Sequence, residues 1–202
     1  MPGSNRKLLQ QYGILPKWLD MRWEQFTNDD DALQKVLKYR DRATEIRKDG
    51  VGLYLHGENG RGKTLLVMLL LKDLFERGFR IRAVTLGRLI SMYTAGWSGA
   101  EKTDEFYSFI HEPDFLEVEE VGKEYKSGES DLGKTVFDTV IRYRLQCQKP
   151  LLITTNLEPK LIREVYTQDI ASMLYEACLI LKVSGEDKRP KINQALKRKY
   201  DI

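Results

Sequence analysis

The sequence predicts an α/β fold of three layers, with helices on both faces of a mostly parallel sheet. Three observations carry this reading. Short apolar runs recur at Val51–His56, Phe79–Thr85, Asp114–Val118, Leu151–Thr155 and Cys178–Val183. Segments of helical character separate them, and strands that alternate with helices pair in parallel beneath crossing helices. The first run passes through a glycine-rich loop straight into the apolar stretch Leu65 to Leu71, a strand–loop–helix passage.

Taken in order, residues 1–28 mix polar residues with Gly13, Pro16 and the aromatics Tyr12, Trp18, Trp23 and Phe26. They read as an irregular lead-in carrying one short helix near Lys17 to Phe26. Asn28 and the acids Asp29, Asp30 and Asp31 suit a helix start, by capping and by charge against the dipole. Ala32, Leu33, Val36, Leu37, Arg40 and Ala43 then keep helical spacing up to Gly50. The strand Val51–His56 follows, and after the loop a helix runs to about Arg77, closed by Gly78. Phe79–Thr85 alternates apolar residues with Arg80 and Arg82, as a strand does. Leu86–His111 is helical but broken at Gly96 and Gly99. The third strand, Asp114–Val118, ends in acids. Gly122–Gly133, polar and glycine-containing, is expected to be a mobile loop. A long helix over Leu132–Gln148 leads to the buried strand Leu151–Thr155, and Cys178–Val183 is the fifth strand.

Composition excludes several classes. A length of 202 residues suits one domain with a full core. Hydrophobic content of 42% and charged content of 31% belong to a soluble globular chain. No stretch approaches the roughly 18–20 apolar residues of a membrane span, and MPGSNRKLLQ lacks a signal peptide's apolar centre. Two cysteines, Cys147 and Cys178, make no disulfide framework, so a reduced, cytoplasmic setting is expected. Two histidines and two cysteines at scattered positions form no metal cluster. A formal charge of +3 is too small to argue nucleic-acid binding by itself.

The loop after the first strand reads Gly57-Glu58-Asn59-Gly60-Arg61-Gly62-Lys63-Thr64, the spacing G-x-x-x-x-G-K-T of the phosphate-binding loop. Glycines let the backbone wrap closely enough for its N–H groups to point at phosphates. The helix starting near Lys63 adds its positive dipole end. Lys63 is placed to reach the β- and γ-phosphates and the Thr64 hydroxyl to hold Mg²⁺. The chain is therefore expected to bind ATP or GTP.

Hydrolysis needs a carboxylate on the metal side and a group that orients water. Phe115 to Gly122, FLEVEEVG, supplies Glu119 and Glu120 at a strand end, where parallel α/β sheets line their ligand crevice. Glu119 would support Mg²⁺ through its waters and Glu120 would act as general base. Alternatively these are a solvated acidic strand end, with Glu117 and Glu124 nearby. Leu151 to Leu157, LLITTNL, ends a buried strand in Thr154, Thr155 and Asn156. The Asn156 amide would hold water or sense the γ-phosphate, or else cap a helix starting near Glu158 and Pro159.

In this order, GENGRGKT, FLEVEEVG, RYRLQCQKPLLITTN and SMLYEACLILKVSGEDKR resemble the AAA+ ATPases of the DnaC/DnaI/IstB type, over roughly residues 13–190. These are replicative-helicase loaders and their transposition relatives. The resemblance implies a three-layer P-loop AAA+ domain with strand order 5-1-4-3-2 and a lid reduced to a short C-terminal helix. It divides the chain into a lead-in, 1–28, and an ATPase domain, 29–202. It makes Gly57 through Leu65 the nucleotide-binding residues, Thr64 and Glu119 the metal side, and Lys63, Glu120, Asn156 and Arg189 (of GEDKR) the groups that act on ATP.

Two departures stand out. The family's trans-acting arginine, in S-R-L, is Met173 here, within Ser172-Met173-Leu174. A thioether cannot stabilise charge on a neighbour's γ-phosphate, so either a residue such as Arg163 substitutes or self-assembly and turnover are weak, and slow ATP hydrolysis is expected. Only a short stub precedes the core, LLQQYGILPKWLDMRWEQF, which either docks a partner or packs onto the domain.

The resemblance further implies a replicative hexameric helicase and single-stranded DNA as partners, with nucleotide-dependent self-assembly and no membrane. Local DNA candidates are Arg80, Arg82, Arg88, Tyr93 and Trp97, with the basic end Lys188 to Tyr200. Two rival functions remain open at this point: an IstB-like transposition ATPase, and a nucleotide-gated adaptor that scarcely hydrolyses ATP.

Overall fold

A computed structural model describes residues 3–122 and 130–201. The chain opens with α1 (Gly3–Gln11), the single-turn α2 (Pro16–Leu19), a 3-10 turn at Trp23–Gln25, then α3 (Asp30–Asp41) and α4 (Ala43–Asp49). Strand β1 (Gly52–His56) enters the glycine loop and α5 (Lys63–Glu76) leaves it. Then come β2 (Ile81–Thr85), α6 (Leu86–Ala95), a 3-10 turn at Gly96–Ser98, and α7 (Ala100–His111). After β3 (Phe115–Val121) the chain continues with α8 (Ser130–Gln146), β4 (Leu151–Thr155), a 3-10 turn at Pro159–Leu161 and α9 (Ile162–Val165). It ends with α10 (Gln168–Ala177), β5 (Cys178–Lys182) and α11 (Arg189–Tyr200).

The strands form one sheet in the order β2-β3-β4-β1-β5, with every pair parallel. This is the expected 5-1-4-3-2 read from the other edge. Successive side chains of a strand point to opposite faces, and the core divides accordingly. Leu53, Leu55, Phe115 and Leu152 pack under α5 and α3, while Tyr54, Leu116, Val118 and Ile153 face the layer of α6, α7, α8 and α10. Helix α5 is buried almost all round, from Leu66 through Leu71, because α3 and the lead-in cover the side away from the sheet.

The lead-in is more ordered than the sequence reading allowed. Two helices and a 3-10 turn replace one helix near Lys17 to Phe26. Its apolar residues are too few to show periodicity, yet Leu9, Ile14, Leu19 and Phe26 are all buried in the α5-side core. The buried Lys72 of α5 holds the segment down by donating to the carbonyls of Trp18 (3.0 Å), Leu19 (3.1 Å) and Met21. Tyr12 O accepts from Ala83 N of β2 at 2.8 Å.

Other boundaries also shift. The helix expected from residue 29 to Gly50 breaks at Arg42 (φ −98°, ψ 18°), giving α3 and α4. Asp29 is its cap, with Oδ1 accepting from Ala32 N at 3.0 Å. The acids expected just past the third strand lie within β3, whose ladder with β4 continues to Val121. The expected loop over 122–133 lies outside the described residues from 123 to 129, and α8 has begun by Ser130.

Candidate functional site

The site gathers at the C-terminal edge of the sheet, where β1, β3 and β4 end side by side. From His56 the chain turns through the loop into α5. Gly62 is the residue before the helix and takes φ 95°, with the Phe26 ring 2.8 Å from where a Cβ would stand. Gly60 takes φ 76°, and a Cβ there would collide with the Asp187 carboxylate. Both positions demand glycine by conformation and by space.

Lys63 is the first residue of α5, and its side chain turns back into the loop. The buried ammonium donates to the carbonyls of Gly57 (2.7 Å) and Glu58 (2.8 Å) and to Asn156 Oδ1 (2.8 Å). Asn156 in turn donates from Nδ2 to Asn59 Oδ1 at 2.9 Å. The amide at the end of β4 therefore faces the loop. The residue before the turn at Pro159–Leu161 is Glu158, and Asn156 caps nothing there. Thr64 and Leu65 lie half-buried on the first turn of α5, Gly57 is buried, and the exposed Glu58 pairs with Arg61.

Glu119 and Glu120, the two residues before the last of β3, take different conformations. Glu119 pairs with Thr154 and Val121 with Thr155, so Glu120 is the extra residue of a β-bulge, with φ 66°. A bulge re-aims the side chain at a strand end, and here it turns Glu120 to solvent while Glu119 stays half-buried. A left-handed conformation at a non-glycine residue is a form of strain that clusters at functional sites. Glu117, two residues earlier, is fully buried and accepts from Thr154 Oγ1 at 2.9 Å. Burial, then the charges of Glu119 and Glu120, hold its carboxyl well above the ordinary carboxylate range, against the opposing Thr154 bond. On the other side of the loop, burial lowers the His56 imidazole against a smaller opposing pull from Glu158.

Two segments close over the loop through contacts that sequence reasoning did not give. Asn28, read there as a helix start, instead donates from Nδ2 to Arg61 O (2.9 Å) and Glu186 O (2.8 Å). From the other end of the chain, Lys188 N donates to Gly60 O (3.3 Å) and Arg189 N to Asp187 Oδ1 (3.0 Å). These partners lie 33 and 158 positions from Asn28, so no local pattern could have revealed them. Arg189 opens α11 beside this closure, with its side chain exposed. Met173 packs half-buried against the sheet's other core, and Arg163 on α9 is exposed.

The DNA candidates divide. Arg80 is paired to Asp114 (3.2 Å) and Arg82 lies over the Phe109 ring (4.3 Å). Arg88 is exposed, and Trp97 is 73% exposed beside a cavity of about 120 Å³ lined also by Tyr93, Thr103, Phe106 and Tyr107. Helix α11 is exposed throughout. Among the described residues, no group of three or more His, Cys, Asp or Glu converges as a metal site, and no helix is long and apolar enough to cross a membrane.

No family model and no curated protein matches the sequence. Solved structures do match. The crystal structure of the DnaC helicase loader aligns with a TM-score of 0.74 at 20% identity, over 84% of this chain and 100% of that one. The crystal structure of DnaI aligns at 0.69 and 19%, over 84% and 94%. The replication initiator DnaA, bound to AMPPCP and single-stranded DNA, aligns at 0.69 and 14% over 94% of this chain, which spans 57% of that structure. At such identities the likeness is one of architecture. The five-stranded parallel sheet with its phosphate loop gives this chain the P-loop AAA+ fold seen in these structures.

Proposed function

We propose that this protein is an ATPase that loads a replicative helicase, gripping helicase and single-stranded DNA when ATP is bound and releasing them on hydrolysis. The observation that carries the ATPase reading is the convergence on Lys63. One ammonium joins the glycine loop to the Asn156 amide, beside the acids that end β3. The donor set fits a magnesium nucleotide: a glycine-lined loop opening a helix, a buried cation, a hydroxyl and a carboxylate.

Thr64 and Glu119 would hold Mg²⁺, which supplies charge neutralisation across the phosphate oxygens. Gly57 to Leu65 cradle the phosphates with backbone N–H groups, and Lys63 balances their charge. Glu120, turned out by the bulge, accepts the proton of the attacking water, and Asn156 orients that water. Arg189, at the closure over the loop, would meet the nucleotide from the lid side.

The loader reading is supported by the alignment over the full chain seen in the crystal structure of the DnaC helicase loader. Of the lead-in, Leu8 and Leu15 are exposed and are the apolar side chains it offers the helicase. Arg88, Trp97 and the basic α11 are offered to single-stranded DNA, since rings beside cations stack bases. Chromatography with light scattering tests the reading: a complex with the hexameric helicase that changes with ATP supports it. No complex under any nucleotide condition contradicts it, and assembly on duplex DNA would point to a transposition ATPase.

One observation favours a second reading, a nucleotide-gated adaptor. Met173 is engaged with the core where the resemblance expects an arginine, and loss of such an arginine is worth ~10³ or more in rate. Turnover should then be slow, and an adaptor would show none that Glu120→Gln removes.

A further inference from the structure

Glu117 is a carboxylic acid in the middle of a strand that the core requires to be apolar. Leu116 and Val118 beside it are fully buried, and so is Glu117 itself, at 0% exposure. Its only bond among those described comes from Thr154, and its second oxygen, Oε2, is buried with no hydrogen-bond partner among the described residues. An acid kept half-satisfied in a core costs stability that a leucine would return, so its retention calls for another cause.

The strand geometry supplies one. Phe115 of β3 and Leu152 of β4 face α5, so Glu117, Glu119 and Thr154, at even spacings from them, share that face. Glu117 stands opposite Leu152, and Glu119 opposite Thr154. The Thr154–Glu117 bond is therefore a diagonal brace between neighbouring strands. It lies just before the point where the Glu120 bulge interrupts the ladder. Beyond the brace the strands carry Glu119 on one side and Asn156 on the other, and a bulge leaves their spacing less constrained by the backbone. We infer that Glu117 is a positioning residue of the nucleotide site, fixing through Thr154 the separation of the metal-side acid Glu119 from the water-orienting Asn156.

The inference rests on the ATPase reading and is tested on the full chain with Glu117→Leu, Glu117→Gln and Thr154→Val. Three quantities are measured: the melting temperature, kcat and KM for ATP, and the affinity for a fluorescent ATP analogue with Mg²⁺ and with EDTA. The expected result is that Glu117→Leu melts at or above the wild type, yet kcat falls about ten-fold with KM little changed. The tightening of analogue binding by Mg²⁺ shrinks with it. Thr154→Val lowers kcat in the same way but melts below the wild type, because it leaves the buried acid without its bond. The double variant lowers kcat no further, and Glu117→Gln, which keeps the acceptor, retains at least about half of kcat.

Unchanged kcat and Mg²⁺ tightening in Glu117→Leu or in Thr154→Val would overturn the inference. So would a Glu117→Gln as defective as the leucine variant. A wild type that binds the analogue but never turns over removes hydrolysis from the proposed function, and the Mg²⁺ comparison still decides the role of Glu117. A wild type that binds no nucleotide overturns both.

Discussion

Lys63 and Asn156, 93 positions apart, meet at 2.8 Å between ammonium and amide oxygen. The contact exists because β1 and β4 are neighbours in the sheet, so the loop after one strand and the residue after the other share an edge. Under the proposed function it joins the group that would hold phosphate to the group that would orient water. Asn156→Ala is expected to lower kcat by about 10- to 100-fold, as for loss of one positioned polar group. KM should move by less than about 3-fold, because Lys63 keeps its two loop carbonyls. Steady-state phosphate release measures both. A change confined to KM would make Asn156 a binding residue only.

Under the proposed function, the bulge at Glu120 sets stability against turnover. A left-handed non-glycine residue costs about 1–2 kcal/mol, and glycine returns about half of that after its own entropy cost of about 0.5–1 kcal/mol. Glu120→Gly should therefore raise the melting temperature by about 1–3 °C while abolishing turnover. Glu120→Gln should keep the wild-type melting temperature and analogue binding while kcat falls about 100-fold or more. Calorimetry beside a turnover assay separates the two effects.

Gly60 meets two constraints at once, φ 76° and the Asp187 carboxylate. Gly60→Ala is expected to cost about 1–2 kcal/mol from the backbone alone and to loosen the segment that closes over the loop. Adding Asp187→Gly should recover the clash but not the backbone strain. Thermal melts of the single and double variants would show the partial rescue. Full rescue would mean that the backbone conformation carries no cost.

Asp114 gives a pH signature remote from the site. Burial raises its carboxyl, but the bonds from Arg80 and Arg47 outweigh that and hold it below the ordinary 3.8. It accepts from Arg80 N (3.0 Å) and Arg80 Nη2 (3.2 Å) and from Arg47 Nε (3.1 Å). A carboxylate whose folded value is depressed stabilises above its unfolded value, and the stability is lost as pH falls through the folded one. Asp114→Asn should therefore cost about 1 kcal/mol at neutral pH, allowing for solvent screening. The difference should shrink as pH falls below 3.8 and through the lower folded value. Denaturant titrations between pH 2.5 and pH 7 follow it.

The fold was legible where local chemistry and order suffice. GENGRGKT between two apolar runs located β1, the loop and α5, and Gly96 and Gly99 marked the break between α6 and α7. What escaped depends on partners distant in sequence. The lead-in helices are held by α5 through Lys72, which no pattern within residues 1–28 contains. Asn28 and Asp29 look equally good as caps, and only the tail at Glu186 and Ser184 decides their roles. The left-handed turn at Glu120 arises from its register against β4, which composition of β3 alone does not encode.

The measurement that tests the central claim most directly is titration of a fluorescent ATP analogue into the wild type and Lys63→Ala, with Mg²⁺. The account predicts saturable micromolar binding by the wild type, displaced by ATP, and at least about ten-fold weaker binding by the variant at equal foldedness. No binding by the wild type, or equal binding by both, would contradict it.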